Sequence, residues 1–143
     1  MASEFAKDLV WEGRTKALEC QPYIFGKQLY RIQRVSDSVD VIITDSPIFL
    51  SAIYDKDKDV NFKNFILTQL NNFDNLNIYL NRVKPFNPNG RNESSIEEAR
   101  VNDRKVLNFL NENNIGYKIV DGNEKGCEEI FNLIIHRLAL KKY

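Results

Sequence analysis

The residues of this chain whose types and spacing could do chemistry are an aspartate closing a β-branched run and a set of arginines around a stretch rich in proline and asparagine. Asp45 ends Val39-Asp40-Val41-Ile42-Ile43-Thr44-Asp45 and is followed by Ser46-Pro47. A carboxylate in that place suits one of two roles. It holds a metal ion or substrate group at the carboxyl end of a strand, where open α/β sheets bind ligands, or it caps the turn made with Ser46 and Pro47. The arginines are Arg82, Arg91 and Arg100, with Lys84 and Arg104 close in sequence. A planar guanidinium matches phosphate oxygens and stabilises charge in phosphoryl transfer. A closing loop could bring Arg82, Arg91 and Arg100 onto one phosphate; the alternative is that each is a solvated loop residue.

Such groups need elements to position them. Residues 39–43 form an apolar run too short for a helix and read as a buried parallel strand. Leu76-Asn77-Ile78-Tyr79-Leu80 reads as a second strand, and Gly116-Tyr117-Lys118-Ile119-Val120 as a third, closed by Asp121-Gly122-Asn123. Between them the periodicity is helical. Phe5, Leu9 and Trp11 anchor an opening helix. Pro22 starts a second, running to about Val35, with Tyr23, Ile24, Phe25, Gln28, Leu29 and Ile32 at helical spacing. A third runs from about Asn61 to Asn72. The capping box Ser95-Ile96-Glu97-Glu98 opens a fourth, and a last helix buries Cys127, Ile130, Phe131, Ile134 and Leu138. Residues 81–95, with Pro85, Pro88 and Gly90, have no periodicity and read as a lid-like loop. Alternation of strand and helix predicts an α/β fold: a three-layer parallel sheet with helices on both faces, in a single domain over residues 1–143. Three strands are few for such a sheet, and the deficit lies at the amino-terminal end.

Charge narrows the partners. With 20 basic and 20 acidic residues the formal net charge is zero, so nothing global points to nucleic acid or an acidic membrane. Cys20, Cys127 and His136 lack metal-ligand spacing. Both cysteines read as reduced packing residues, Trp11 as core and His136 as surface. The absence of a signal peptide or long apolar span predicts a soluble cytoplasmic protein.

Taken together, Ile43-Thr44-Asp45-Ser46-Pro47, the stretch from Asn81-Arg82-Val83-Lys84 through Gly90-Arg91-Asn92-Glu93, and Glu97-Glu98-Ala99-Arg100 resemble the P-loop nucleoside and nucleotide kinases. The likeness is greatest to the phage and bacterial AAA-type ATPase group related to ribosylnicotinamide kinase. That resemblance implies that Asp45 occupies the Walker B position and holds magnesium directly or through water. It implies that Arg82, Arg91 and Arg100 belong to a lid over the transferred phosphate. Glu4-Phe5-Ala6-Lys7-Asp8-Leu9 resembles the segment facing the phosphate acceptor, which puts Glu4, Lys7 and Tyr23 near a nucleoside or nucleotide substrate. The implied cofactors are Mg2+ and ATP.

The chain departs from that family where it matters most. The family opens with a strand and G-x-x-x-x-G-K-[ST], whose backbone N–H groups and lysine grip the phosphates. Here Gly26-Lys27-Gln28 is the only Gly-Lys pair, and it falls inside an amphipathic helix. The sequence therefore reads as a P-loop kinase-like chain lacking the first strand and P-loop. Three expectations follow: weak or no activity as an isolated chain, a protein partner or homo-oligomer that compensates for the missing strand, and, as the alternative, a non-catalytic interaction protein.

Overall fold

A computed structural model describes residues 3–83 and 95–140. Two compact units make up the chain: residues 3–73 form the first, and residues 74–83 with 95–140 the second. No helix among the described residues is long and apolar enough to cross a membrane.

The first unit is helical. Helix α1 spans Phe5–Trp11, a 3-10 turn covers Thr15–Glu19, and α2 runs Gln21–Ser36 with Pro22 in its first turn, where the missing N–H costs nothing. Short α3 (Leu50–Tyr54) and α4 (Val60–Leu70) complete it. The apolar stripe of α2 points inward through Ile24, Phe25 and Ile32, meeting Leu9, Ile48, Phe49, Ile53, Ile66 and Leu70 in the core. Phe25 takes Phe62 and Phe65 edge-on, at centroid distances of 5.8 and 5.7 Å. The mixed-charge run 55–59 is a turn built on buried Asp55, whose carboxylate accepts from the N–H groups of Asp57 and Asp59. Asp59 in turn caps α4 by accepting from Asn61 N–H.

In the second unit, β1 (Ile78–Asn81) and β2 (Lys118–Asp121) pair in parallel, Tyr79 opposite Ile119 and Leu80 opposite Val120. Helix α5 (Ile96–Glu112) provides the long crossover that parallel pairing requires, and Ser95 caps it by accepting from Glu98 N–H. Helix α6 (Glu124–Leu140) leaves β2 through a tight junction at Gly126, where a Cβ would lie 1.9 Å from the Asp121 carbonyl oxygen. That approach admits only glycine.

The expected three-layer parallel sheet is therefore not the architecture. Among the described residues the chain is mostly helical, with six α-helices and a single two-stranded parallel sheet. Residues 39–43 carry no repeating secondary structure, and Thr44 alone makes an isolated bridge. A β-branched run has strand propensity, but a strand exists only where another strand takes its N–H and C=O groups. Among the described residues none lies beside it. Three burial expectations also fail. Trp11 is 70% exposed, so α1 anchors through Leu9 instead. Cys20 and Cys127 are both exposed rather than packed. On α6 only Gly126 is buried; Phe131 is 62% exposed and Ile130, Ile134 and Leu138 are half-buried. His136 is exposed, as read.

Candidate functional site

The first unit is tied together by one polar side chain in the apolar stripe of α2. Gln28 is 2% exposed. Its Oε1 accepts from the backbone N–H of Phe5 at 3.0 Å, and its Nε2 donates to Thr44 Oγ1 at 3.1 Å. Thr44 Oγ1 also accepts from Ser46 N–H at 3.1 Å and donates to the Ser46 carbonyl at 3.3 Å, fixing the turn that carries Asp45. A buried amide must find partners or forfeit its hydration, and here the partners come from the start of α1 and the end of the β-branched run. Glu4 precedes one partner in the chain and Asp45 follows the other, so two of the sequence-derived site residues are positioned by the same glutamine.

Around that clamp, aromatic rings and cations alternate. Tyr23 meets Phe5 edge-on at 5.4 Å and lies under the Lys27 ammonium at 5.7 Å. Lys7 stands 5.5 Å over the Trp11 ring. Arg31 lies 5.1 Å over Phe5, pairs with Asp8 and donates to Ser3 Oγ at 3.0 Å, pinning α1 to α2. Lys7 is thus drawn to Trp11, while Tyr23 abuts the first residue of α1.

Arg82 and Arg100 fall in the second unit, and Arg91 lies outside the described residues. Arg82 makes a two-pronged pair with Asp103 of α5, Nε to Oδ2 at 2.6 Å and Nη2 to Oδ1 at 2.9 Å. That fork is the geometry a guanidinium would offer a phosphate, and here Asp103 takes it. Arg100 lies one turn earlier on α5 and is exposed. Beside the pair, partial burial raises the Tyr79 phenol above its ordinary value; the Asp103 charge adds to the effect and the Arg82 charge opposes it. The strand ends Asn81 and Asp121 are joined directly, Asn81 Nδ2 donating to Asp121 Oδ1 at 2.9 Å.

The donor set fits the two implied cofactors unequally. No group of three or more histidine, cysteine or carboxylate side chains among the described residues could hold a metal by itself. Asp45 is one exposed carboxylate, which suits a magnesium ion arriving on a phosphate, since that ion takes one or two carboxylates and keeps water or phosphate for the rest. The phosphates of ATP fit less well. Gly26 and Lys27 belong to the interior of α2, where backbone N–H groups serve the helix. The described residues thus offer no backbone cradle at the Gly-Lys pair.

Sequence reasoning missed Gln28 as an organising residue, although the signal was present: an amide at a stripe position between Phe25 and Ile32. Comparison with known proteins adds no relative: no family model matches the chain, and no curated protein or solved structure matches it.

Proposed function

We propose that this chain is a cytoplasmic protein related in function to ATP-dependent nucleoside and nucleotide phosphotransferases, weak or inactive in isolation. The observation that carries the reading is the Gln28 clamp, which fixes the acceptor-side segment at Glu4-Phe5 and the carboxylate-bearing turn at Thr44-Asp45 on opposite ends of one amide. In this reading Asp45 receives a phosphate-borne magnesium, and Glu4, Lys7 and Tyr23 face the acceptor. Positioning supplies most of the catalysis in phosphoryl transfer, and the Gly26-Lys27 pair inside α2 supplies no phosphate cradle, so in this reading the rate depends on phosphate-positioning groups from another polypeptide.

The test is a calorimetric titration of Mg-ATP into the chain, with Asp45→Asn alongside. Weak, magnesium-dependent binding that the variant abolishes supports the reading. Absence of magnesium-dependent binding, or binding indifferent to Asp45→Asn, overturns it.

A second reading has its own support. Val39, Val41 and Ile43 are 48%, 38% and 56% exposed, which favours a non-catalytic interaction protein that offers this run to a partner.

A further inference from the structure

Helix α6 divides its apolar residues between two flanks. On one, Gly126 is buried against Val120 and Asp121 of β2, Ile130 and Ile134 are half-buried, and Arg137 pairs with Asp74. The adjoining flank faces water. Phe131 and Ile135 are exposed there, Ile135 at 49%, and Phe131 lines an open depression with Cys127, Glu128 and Asn132. Leu138, half-buried, extends the flank by one turn. Large apolar side chains in a row on a helix surface call for a cover.

Charge along the same row names the cover. Glu124, Glu128, Phe131, Ile135, Leu138 and Lys142 follow one another at intervals of four, three, four, three and four residues, the spacing of a helix-pairing seam. Lys142 lies just beyond the described residues and enters through the sequence alone. The row is thus acidic at its start, apolar in its middle and basic at its end. Glu124 and Glu128 are exposed, and from Ile130 to Tyr143 the sequence contains no acidic residue. Such a row complements itself when reversed. With Phe131 opposite Ile135 of a second copy, a two-fold axis places Ile135 opposite Phe131 and Glu124 opposite Lys142 at both ends. Parallel pairing would instead set glutamate against glutamate and lysine against lysine, which is unfavourable. The formal net charge of zero leaves no long-range repulsion between copies.

We propose that α6 joins two copies of this chain as an antiparallel pair, with Phe131, Ile135 and Leu138 as its apolar seam and Glu124 and Lys142 as the charges that set its direction. This goes beyond both functional readings and depends on neither phosphoryl transfer nor the run 39–43.

The experiment is sedimentation equilibrium of the full chain over a range of concentrations. The expected result is a reversible dimer. Phe131→Ser should abolish it, and because Phe131 is exposed the variant should keep the urea midpoint of the native chain. Glu124→Lys and Lys142→Glu should each weaken the dimer by about tenfold, since either change turns attraction into repulsion at both ends of the pair. Combining them in one chain should restore it, because the reversed charges again face their opposites. A monomer at every concentration overturns the proposal, as does a dimer indifferent to Phe131→Ser. Charge reversals that leave the dimer unchanged, or a combined variant no tighter than the single ones, overturn the antiparallel pairing and with it the proposal.

Discussion

Gln28 Nε2 lies 3.1 Å from Thr44 Oγ1 while Oε1 of the same amide holds the N–H of Phe5. Gln28→Ala removes both bonds at a buried position and exposes no new partner. The cost should be about 1–3 kcal/mol, the range for stranding buried polar groups. Gln33→Ala, exposed on the same helix, should stay within about 0.5 kcal/mol. Urea denaturation of both variants checks this, and equal effects would remove the clamp from the account of the site.

Gly126→Ala should destabilise despite its helical position. Alanine normally gains about 1 kcal/mol over glycine inside a helix. Here its Cβ would lie 1.9 Å from the Asp121 carbonyl and 2.9 Å from Val120 Cγ1, and relieving a core overlap of that kind costs about 1–3 kcal/mol. The overlap wins, and thermal denaturation should show a lower midpoint.

Leu9 and Trp11 invert the expectation from size. Leu9 is 1% exposed and Trp11 70%, so Leu9→Ala should cost about 2–5 kcal/mol. Trp11→Ala should lose at most the contact with Lys7, worth about 0.5–1 kcal/mol at an exposed site. Since Trp11 is the sole tryptophan, iodide quenching of its fluorescence gives an independent check: the native chain should be quenched readily.

Tyr79 supplies the pH test. Its phenol is raised by burial first and by the Asp103 charge second, against the Arg82 charge. Asp103→Asn should therefore move its ionisation down toward the ordinary tyrosine value, and Arg82→Ala should move it up. A group whose folded pKa is raised contributes stability that is fully present below its unfolded value and lost as pH rises through the folded one. The contribution of Tyr79 should accordingly be constant through neutral pH and disappear only on the alkaline side of about pH 10. Absorbance titration of tyrosinate in wild type and Tyr79→Phe resolves the group; identical alkaline profiles would refute the assignment.

What could be read from sequence divides along a physical line. Helices α2, α4 and α5 were legible because a helix satisfies its own backbone and its buried stripe repeats within one segment: Ile24, Phe25, Gln28 and Ile32 fall where the spacing puts them. Ser95 was legible as a cap because the bond it makes is local. The sheet was not. Val39–Ile43 has the composition of a strand, but pairing depends on what lies beside it, which composition does not encode. The stripe on α6 failed for a related reason, since an apolar face states that a partner is needed and not that one is present. At the candidate site, Asp45 and Glu4 were readable as residue types, while their connection through Gln28 is a long-range contact. Arg82 was read as a phosphate-binding guanidinium, and its pairing with Asp103 lay across an interval with no sequence signature.

The bonds through Gln28 have a direction. Phe5 N–H points to the amide oxygen, the amide N–H points to the threonine oxygen, and the threonine O–H points to the Ser46 carbonyl. All three donors face the same way, so each bond polarises the next, and the row behaves as a small head-to-tail dipole running from the start of α1 to the turn at Asp45. Rotating the amide by half a turn would set N–H against N–H at Phe5 and break the row at its first link. One side-chain orientation thereby fixes the sense in which two distant backbone segments face each other, as a keyed joint admits its parts in only one way.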